Sequence, residues 1–417
     1  MRLIIYFLLF LFVLMPLSAE LPESRLADLV PMASRAVLMD ATSGRILYAK
    51  NPDEPIPPAS LTKLMTIHLI FQDLEHKKYT LDQLVPVTSA TDARAMPEGS
   101  SLMFLQAGQL VTVRELLTGL VVDSGNDAGL TLAVFSSGSQ QAFVARMNAE
   151  AARLGMVHTI FYDSYGYDSR NKTTARELAQ FCRYMILKHP YLLQLSAQKE
   201  LAYPLAANWP PSYHGPVRTI WQKNRNELLW AYPGADGLKT GYITESGYNL
   251  AGTAIRGHQR LIAIVLGVQA PNSSVGSYLR TQAAKSLFDY GFQRYPLSEL
   301  PVPLLPAVKA WYVVGDKVLV QPRTPVIYPL SDEERSEISV KVDLPDSVIG
   351  PFGSDRPVGK LVWSLQGKPV TSVDLVAASP VQPASWWQDF LDAITLFFRG
   401  IFGLPAPLNL SGPSSSS

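Results

Sequence analysis

The sequence predicts a mixed α/β domain, followed by a small all-β sandwich domain and a C-terminal amphipathic helix. Three observations lead to this. Strand-like runs at 36–49 and 248–268 enclose a region whose apolar residues mostly recur at helical spacing. From Leu300 onward, short β-like runs alternate with turn residues. Between Ser385 and Gly403, large apolar and aromatic residues recur at helical spacing beside a narrow polar side.

The N-terminus has the pattern of a secretory signal peptide. Arg2 precedes an apolar core from Leu3 to Met15, and Leu17-Ser18-Ala19 ends it with small residues. An uncleaved anchor is the alternative, but the apolar run is short for crossing a bilayer. We expect a signal peptide at 1–19 and a mature protein in a bacterial periplasm.

The first elements of the mature chain form a predicted hairpin and a helix. The runs at 36–40 and 45–49 are joined by Thr42-Ser43-Gly44, which is typical of a β-hairpin. Pro57 and Pro58 then precede a predicted helix from Ser60 to Leu74. Residues three apart on a helix are neighbours, so the Lys63 amine should lie beside the Ser60 hydroxyl near a positive helix end. This arrangement makes Ser60 a candidate activated nucleophile.

Ser-x-x-Lys alone is a weak motif, since an N-capping serine and a solvated lysine would give the same letters. A second copy occurs at Ser196 to Lys199. Two further motifs strengthen the case. Ser124-Gly125-Asn126 follows the apolar helical run 113–122, and Lys239-Thr240-Gly241 occurs once. A chance Lys-Thr-Gly is expected in only about one such chain in ten. The three motifs in this order therefore predict one catalytic site.

With these motifs, the chain resembles the low-molecular-mass penicillin-binding proteins that act as D-alanyl-D-alanine carboxypeptidases. The resemblance also covers the segments 37–44, 224–230 (Asn-Arg-Asn-Glu-Leu-Leu-Trp) and 290–292 (Tyr-Gly-Phe). It implies a serine β-lactamase/transpeptidase-like catalytic domain at 20–298. It also implies that β-lactam antibiotics are covalent inhibitors and that the substrate is a peptidoglycan stem peptide.

The resemblance further implies a role for each motif residue. Ser60 is the nucleophile, and Lys63 is the general base because no acidic residue lies in a recognisable water-activating motif. A neutral lysine near pH 7 needs a pKa about three units below normal, or about 4 kcal/mol. Burial and a nearby cation, expected to be Lys239, would supply that.

The remaining expected roles concern the substrate. Ser124 relays a proton to the leaving amine, and Asn126 holds the acyl amide. The substrate-binding residues are Lys239, Thr240 and Arg280 for the terminal carboxylate, Gly241 for close approach of the peptide, and the N–H groups of Ser60 and Tyr242 as an oxyanion hole. Many relatives have His-Thr where this chain has Tyr242-Ile243, which removes a hydroxyl at the second position.

The C-terminal part is predicted to position the enzyme. The all-β domain at 299–376 has no titratable cluster and suits a spacer or docking role. A linker and amphipathic helix follow at 377–403, with a disordered tail at 404–417. Aromatic residues favour the membrane interface, which predicts a membrane-surface anchor; a helix packed on its own domain is the alternative.

Composition excludes several other classes. The net charge of +1 and the absence of a dense basic run argue against nucleic acid. The single cysteine, Cys182, excludes an internal disulfide, and the six histidines form no ligand-like cluster, so neither metal nor another cofactor is expected. Three alternatives stay open: a D,D-endopeptidase of the same family, a class A-like β-lactamase and a non-catalytic cell-wall binding protein.

Overall fold

The computed structural model describes residues 29–411. The predicted signal peptide at 1–19 and the last six residues of the predicted tail therefore lie outside the described part. Within it, two regions each have their own sheets and apolar core.

The N-terminal region is built around a five-stranded antiparallel sheet. Its described strands are β1 (Arg35–Asp40), β2 (Ile46–Lys50), β3 (Leu84–Pro86), β4 (Leu110–Thr112), β5 (Glu200–Tyr203), β6 (Ile220–Lys223), β7 (Ala235–Ile243), β8 (Gly247–Arg256) and β9 (Gln259–Val268). Its described helices are α1 (Lys63–Glu75), α2 (Val113–Val122), α3 (Asn126–Ser137), α4 (Gln140–Arg153), α5 (Ala175–Lys188), α6 (Tyr191–Ser196), α7 (Leu228–Ala231) and α8 (Ser273–Arg294). The sheet order is β2-β1-β9-β8-β7, and β3–β4 and β5–β6 form separate pairs.

Side chains on successive residues of β1 enter two different cores. Val37 and Met39 pack with α1, α2 and α5, whereas Ala36 and Leu38 pack with α8 on the opposite face. This alternation follows from the two-residue period of a strand. The sheet is therefore covered by helices on both faces, as the mixed α/β prediction requires.

The predicted hairpin and first helix are both present. β1 and β2 pair in antiparallel register, with Ala36 opposite Lys50. The predicted helix at 60–74 begins as a 3-10 turn at Ala59–Thr62 and continues as α1. Leu64, Ile67 and their neighbours on α1 are buried, so this helix runs through the core.

The C-terminal region is mostly β-structure, as predicted. Its described elements are β10 (Leu297–Glu299), β11 (Val308–Trp311), β12 (Lys317–Val318), β13 (Val320–Pro322), β14 (Ile327–Pro329), α9 (Asp332–Glu337), β15 (Ser339–Asp343), β16 (Ser347–Ile349), β17 (Pro357–Leu365), β18 (Lys368–Ala377), α10 (Trp386–Ile401) and β19 (Leu408–Asn409). Two four-stranded sheets, β12-β11-β16-β19 and β13-β18-β17-β15, contribute to one core around the buried Trp363. The short helix α9 interrupts the β-structure.

The predicted disorder of the tail at 404–417 is wrong for part of it. Leu408 and Asn409 form β19, which pairs in parallel with Val348 and Ile349 of β16. Leu410 is buried in the β-domain core, and its N–H donates to the Ile349 carbonyl at 3.0 Å. The backbone partners of this short strand come from the edge of β16, and the sequence of two residues alone does not predict such pairing. The predicted linker likewise packs against the β domain, since Val381 forms a β-bridge with Phe352 and Pro383 forms one with Val313.

Helix α10 lies on the β domain with its polar side inward. Asp392 Oδ2 accepts a hydrogen bond from the Tyr312 N–H at 2.7 Å, and the Gln388 amide donates to the carbonyls of Val313 and Gly315. The apolar side points to solvent, with exposures from 41 to 77% for Trp386, Trp387, Phe390, Leu391, Ile394, Phe397, Phe398, Ile401 and Phe402. Among residues 29–411, no helix is both long enough and apolar enough to cross a bilayer.

Candidate active site

The nucleophile candidate Ser60 lies in the 3-10 turn that leads into α1. Ala59 adopts a left-handed conformation with φ of 51°, and Gly166 approaches its carbonyl so closely that a Cβ there would lie 1.9 Å away. Gly241 on β7 is comparably close, because its Cβ would lie 2.9 Å from the Pro58 carbonyl oxygen and 3.1 Å from Ser60 N. The turn is therefore held between two segments that need glycine.

Lys63, one turn after Ser60, is fully buried with three oxygen neighbours. Its Nζ lies 2.9 Å from Ser60 Oγ. It also donates to Asn126 Oδ1 at 2.7 Å and to the Tyr165 carbonyl oxygen at 2.5 Å. A neutral amine has two N–H groups and one lone pair. Asn126 and Tyr165 can take the two N–H groups, which leaves the lone pair for the Ser60 hydroxyl proton.

The electrostatic surroundings favour the neutral form of Lys63. The pKa of Lys63 is lowered to about 7, chiefly by burial and also by the positive charge of Arg225, while Asp163 and Asp127 oppose this shift. We expected burial and Lys239 to lower this pKa; burial is the main cause, and Arg225 is a cation that the sequence analysis did not include. Lys63 acts on Lys239 in turn, and lowers its pKa.

The loop after α2 places the second motif beside this pair. Ser124 has φ of 59°, is buried, and lines the same cavity as Ser60. Asn126 begins α3; its Oδ1 faces Lys63 and its Nδ2 donates to Ser100 Oγ at 3.0 Å. These two bonds fix the orientation of the Asn126 amide, and tie it to the base as well as to the cleft.

The third motif lies on the edge strand β7. Lys239 is buried, and its Nζ donates to the Thr240 carbonyl at 3.2 Å. Burial, together with the positive charges of Lys63, Arg225 and Arg280, lowers the pKa of Lys239 well below its ordinary value. Thr240, Gly241 and Tyr242 continue along the cavity wall.

The cleft consists of two adjoining cavities of about 350 Å³ each, which share Ser60, Ser101 and Tyr242. One contains Ser124, Thr240, Arg225 and Arg280; the other contains Asn126. The structure thus places every predicted site residue in the cleft or, for Lys63 and Lys239, directly behind it. The second Ser-x-x-Lys copy lies elsewhere, with Ser196 Oγ bonded to the Asp236 carbonyl.

Sequence reasoning missed the role of Arg225. It lines the cavity with Arg280, whose guanidinium donates to the Arg225 carbonyl and to Ser277 Oγ, both at 3.1 Å. Neither arginine forms a salt bridge with any residue of 29–411. The only available signal was its place in the segment 224–230, which the resemblance included without a role. The cavity wall therefore carries two arginines outside any salt bridge, which suits the binding of a carboxylate.

Within the described residues, no group of three or more histidine, cysteine, aspartate or glutamate side chains is arranged to hold a metal ion. The arrangement instead joins a hydroxyl, a buried amine and a cationic wall, which suits acyl transfer to a substrate with a terminal carboxylate.

Comparisons with known proteins agree with this chemistry. The family model for the peptidase S11 D-alanyl-D-alanine carboxypeptidases matches residues 26–270, and the model for the C-terminal domain of penicillin-binding protein 5 matches residues 305–383. The D-alanyl-D-alanine carboxypeptidase DacC of Escherichia coli is 31% identical over 380 residues, which cover 88% of each chain.

Solved structures give the same result. Penicillin-binding protein 5 from Haemophilus influenzae matches with a TM-score of 0.69 at 29% identity, covering 84% of this chain and 98% of that one. Penicillin-binding protein 6B from Escherichia coli matches with a TM-score of 0.64 at 31% identity, covering 83% and 95%. The chain belongs to the peptidase S11 family of D-alanyl-D-alanine carboxypeptidases, and it is a serine hydrolase.

Proposed function

We propose that this chain removes the terminal D-alanine from peptidoglycan stem pentapeptides through an ester on Ser60. The observation that carries the proposal is the geometry at Lys63, whose two acceptors leave its lone pair for Ser60 Oγ at 2.9 Å. The cationic wall of Lys239, Arg225 and Arg280 would bind the free carboxylate of the last residue. An endopeptidase or β-lactamase role has no such specific observation in its favour.

In the acylation step, Lys63 takes the proton of Ser60 as Oγ attacks the carbonyl between the two D-alanines. The N–H groups of Ser60 and Tyr242 stabilise the resulting oxyanion, a contribution of about 3–4 kcal/mol per donor. Ser124 relays a proton to the leaving nitrogen, so that D-alanine departs as a neutral amine. Asn126 accepts from Lys63 and so aligns the base.

In the deacylation step, water adds to the same carbonyl and gives a proton to Lys63. Collapse of the second tetrahedral intermediate breaks the ester and returns a proton to Ser60 Oγ, which releases the shortened stem peptide. Ile243 offers no hydroxyl for this step. From this part of β7, the oxyanion would therefore be stabilised by the backbone N–H of Tyr242.

The test is a pair of measurements on the mature protein and its Ser60→Ala variant. The parent should release one D-alanine per pentapeptide, and penicillin should add its own mass to the protein; both should be absent in Ser60→Ala. Slow loss of the adduct is expected, since rapid turnover would indicate a β-lactamase. A parent that binds peptidoglycan but releases no D-alanine would indicate a non-catalytic binding protein.

We further propose that α10 anchors the enzyme on the periplasmic face of the bacterial inner membrane, after export by the signal peptide at 1–19. Support comes from the inverted packing of α10, whose polar side is bonded to the β domain while its aromatic side is exposed. Burying such a face in the interfacial region of a bilayer would be favourable. The alternative, a helix that only packs on its own domain, accounts for the polar side of α10 but not for its exposed aromatic side.

Vesicle co-sedimentation tests the anchor. Phe397→Asp, in the exposed apolar face, should reduce binding to anionic phospholipid vesicles by at least tenfold. The matched control is Leu187→Asp, an exposed leucine on α5 of the N-terminal region, which should leave binding unchanged. Equal binding of all three proteins would refute the anchor. Mass analysis of the exported protein would test for cleavage after Ala19.

A further inference from the structure

The loop at 163–168 contains a buried carboxylate that the reaction described above does not use. Only 5% of the surface of Asp163 is exposed, and both of its oxygens accept hydrogen bonds from the loop itself. The donors are four successive backbone N–H groups: those of Tyr165 and Gly166 to Oδ1 at 3.0 and 2.5 Å, and those of Tyr167 and Asp168 to Oδ2 at 2.9 and 2.6 Å. One side chain therefore fixes the orientation of four consecutive peptide units.

The peptide unit between Tyr165 and Gly166 connects this carboxylate to the candidate base. In a trans peptide unit, the carbonyl oxygen points away from the N–H of the next residue. The N–H of Gly166 donates to Asp163, so the carbonyl in the same unit points the opposite way. There it accepts the hydrogen bond from Lys63 Nζ at 2.5 Å. Asp163 and Lys63 thus hold the two ends of one peptide unit.

The preceding peptide unit repeats the pattern. The N–H of Tyr165 donates to Asp163 at 3.0 Å, and the carbonyl of Ser164 accepts from Thr66 Oγ1 at 2.5 Å. Thr66 lies on α1, three residues after Lys63. The loop is therefore held between the carboxylate on its N–H side and α1 on its carbonyl side, and this double attachment sets where the Tyr165 carbonyl lies.

Lys63 needs that carbonyl in order to act as the base. A neutral amine has two N–H groups, of which Asn126 takes one and Tyr165 the other. If the Tyr165 carbonyl turned away, the remaining oxygen neighbour for the second N–H would be Ser60 Oγ at 2.9 Å. An amine that directs an N–H to Ser60 has no lone pair there to receive the hydroxyl proton.

We propose that Asp163 is a positioning residue that orients the Tyr165 carbonyl and so directs the lone pair of Lys63 to Ser60. This role rests on the proposed function, in which Lys63 is the base. The role is geometric, because the negative charge of Asp163 raises the pKa of Lys63 and so opposes its neutral form. The site therefore uses Asp163 as a hydrogen-bond acceptor, and its charge is not what the reaction requires.

The experiment measures the rate of acylation by penicillin at pH 8.5, where Lys63 is mostly neutral because its pKa is about 7. Asp163→Ala removes the acceptor from the mature protein and should slow acylation by about 10–100-fold. Asp163→Asn keeps one oxygen for the N–H groups of Tyr165 and Gly166, and its rate should stay within about threefold of the parent rate. An equal loss in both variants would show that the charge matters, and would overturn the role.

A second background separates this role from general support of the cleft. In Lys63→Met there is no lone pair to direct, so Asp163→Ala should have no further effect on the residual acylation rate. A further loss of similar size in that background would overturn the role. The matched control is Asp168→Ala, which removes a carboxylate of the same loop that binds the Arg170 guanidinium instead, and which should keep the parent rate.

Folding is checked by thermal melting, with Asp163→Ser, which keeps one shorter acceptor, as the second variant. If neither Asp163→Ala nor Asp163→Ser folds, the carboxylate serves the fold and the positioning role is rejected. A parent that neither reacts with penicillin nor releases D-alanine would refute the proposed function and this role together. An active parent whose Asp163→Ala variant is acylated at the parent rate would refute the role alone.

Discussion

At the scale of single residues, the main feature is a lysine kept neutral inside the protein. Lys63 has lost its contact with water, and its hydrogen-bond acceptors are the neutral oxygens of Asn126 and Tyr165. An ammonium ion would gain little in such a place, since a buried charge is stabilised chiefly by an opposite charge or by water. Burying this amine therefore lowers the stability of the folded protein and yields a neutral base.

This environment predicts a pH dependence of acylation. Because the pKa of Lys63 is lowered to about 7, the base is protonated below that pH and free above it. The rate of acylation by penicillin should rise with pH along a single ionisation with its midpoint near 7. Lys63→Met should lower the rate by about 10²–10⁴-fold and remove this ionisation. A flat parent profile between pH 5.5 and 8.5 would contradict the role of Lys63 as the base.

The same pKa predicts a stability effect with a defined sign. Between pH 7 and about 10, the unfolded chain binds a proton at Lys63 that the folded chain does not, so stability should rise with pH across that window. Lys63→Met has no proton to lose, and its free energy of unfolding should lack this rise. Denaturant unfolding of both proteins at pH 7 and pH 9.5 measures the difference. Equal pH slopes for the two proteins would show that Lys63 is not perturbed.

The sequence predicts the residues of this site better than their environment. Ser60, Lys63 and Lys239 belong to short motifs whose order is itself a signal. The carbonyl of Tyr165 carries no side-chain signal, and Arg225 is more than 160 residues from Lys63. The action of Arg225 on Lys63 therefore depends on three-dimensional distances, which the sequence does not show.

At the scale of elements, the site depends on how closely β7 approaches the turn before α1. Gly241 has no side chain at the point where β7 passes the Pro58 carbonyl and Ser60 N. From sequence, we expected this glycine to make room for the substrate. The structure adds a second reason, which is that the strand and the nucleophile turn could not otherwise pack together.

Gly241→Ala should therefore impair chemistry more than stability. The added Cβ would lie 2.9 Å from a backbone oxygen and 3.1 Å from a backbone nitrogen, so β7 must move away from Ser60. Such a displacement should lower the penicillin acylation rate by about 10–100-fold. The control is Gly400→Ala on α10, where a Cβ meets no atom within 4 Å. Similar acylation rates for both variants would show that the close approach is unimportant.

Elements with strong periodicity are predictable, and those defined by their partners are not. The hairpin β1–β2 and the helix α2 follow from residue pattern alone. β19 consists of two residues and forms because β16 offers a free edge. Its sequence has no strand pattern of its own, so it was predicted to be part of a disordered tail. The orientation of α10 was equally hidden, since its polar residues could have faced either solvent or the β domain.

At the scale of the whole molecule, one arginine joins the two regions. Arg45 lies between β1 and β2, and its guanidinium binds both carboxylate oxygens of Glu334, the third residue of α9, which forms the capping box of that helix with Ser331. It also donates to the Pro329 carbonyl at 2.6 Å and lies over the rings of Tyr295 and Tyr328. Since the cleft belongs to the N-terminal region and α10 to the C-terminal one, this contact contributes to the relative position of the cleft and α10.

Arg45→Ala should uncouple the two regions without harming the site. Removing one partner of a largely buried ion pair leaves the Glu334 carboxylate without its cation, although the Ser331 N–H still donates to it, which should cost about 2–4 kcal/mol. Calorimetry should then show two separate unfolding transitions where the parent shows more closely coupled ones, while D-alanine release from a soluble peptide stays within about twofold.

The same interface contains a matched control. Arg294 and Glu333 form an ion pair at 2.9 Å, but both side chains are largely exposed. Exposed pairs contribute about 0–1 kcal/mol, so Arg294→Ala should leave the transitions coupled. If Arg294→Ala separated the transitions as strongly as Arg45→Ala, long-range charge across the interface would hold the regions together. If only Arg45→Ala did so, the desolvated contact would account for the coupling. Cleavage of a membrane-bound peptide by the Arg45→Ala variant on vesicles would then show whether the reaction needs a fixed distance between the cleft and the proposed anchor.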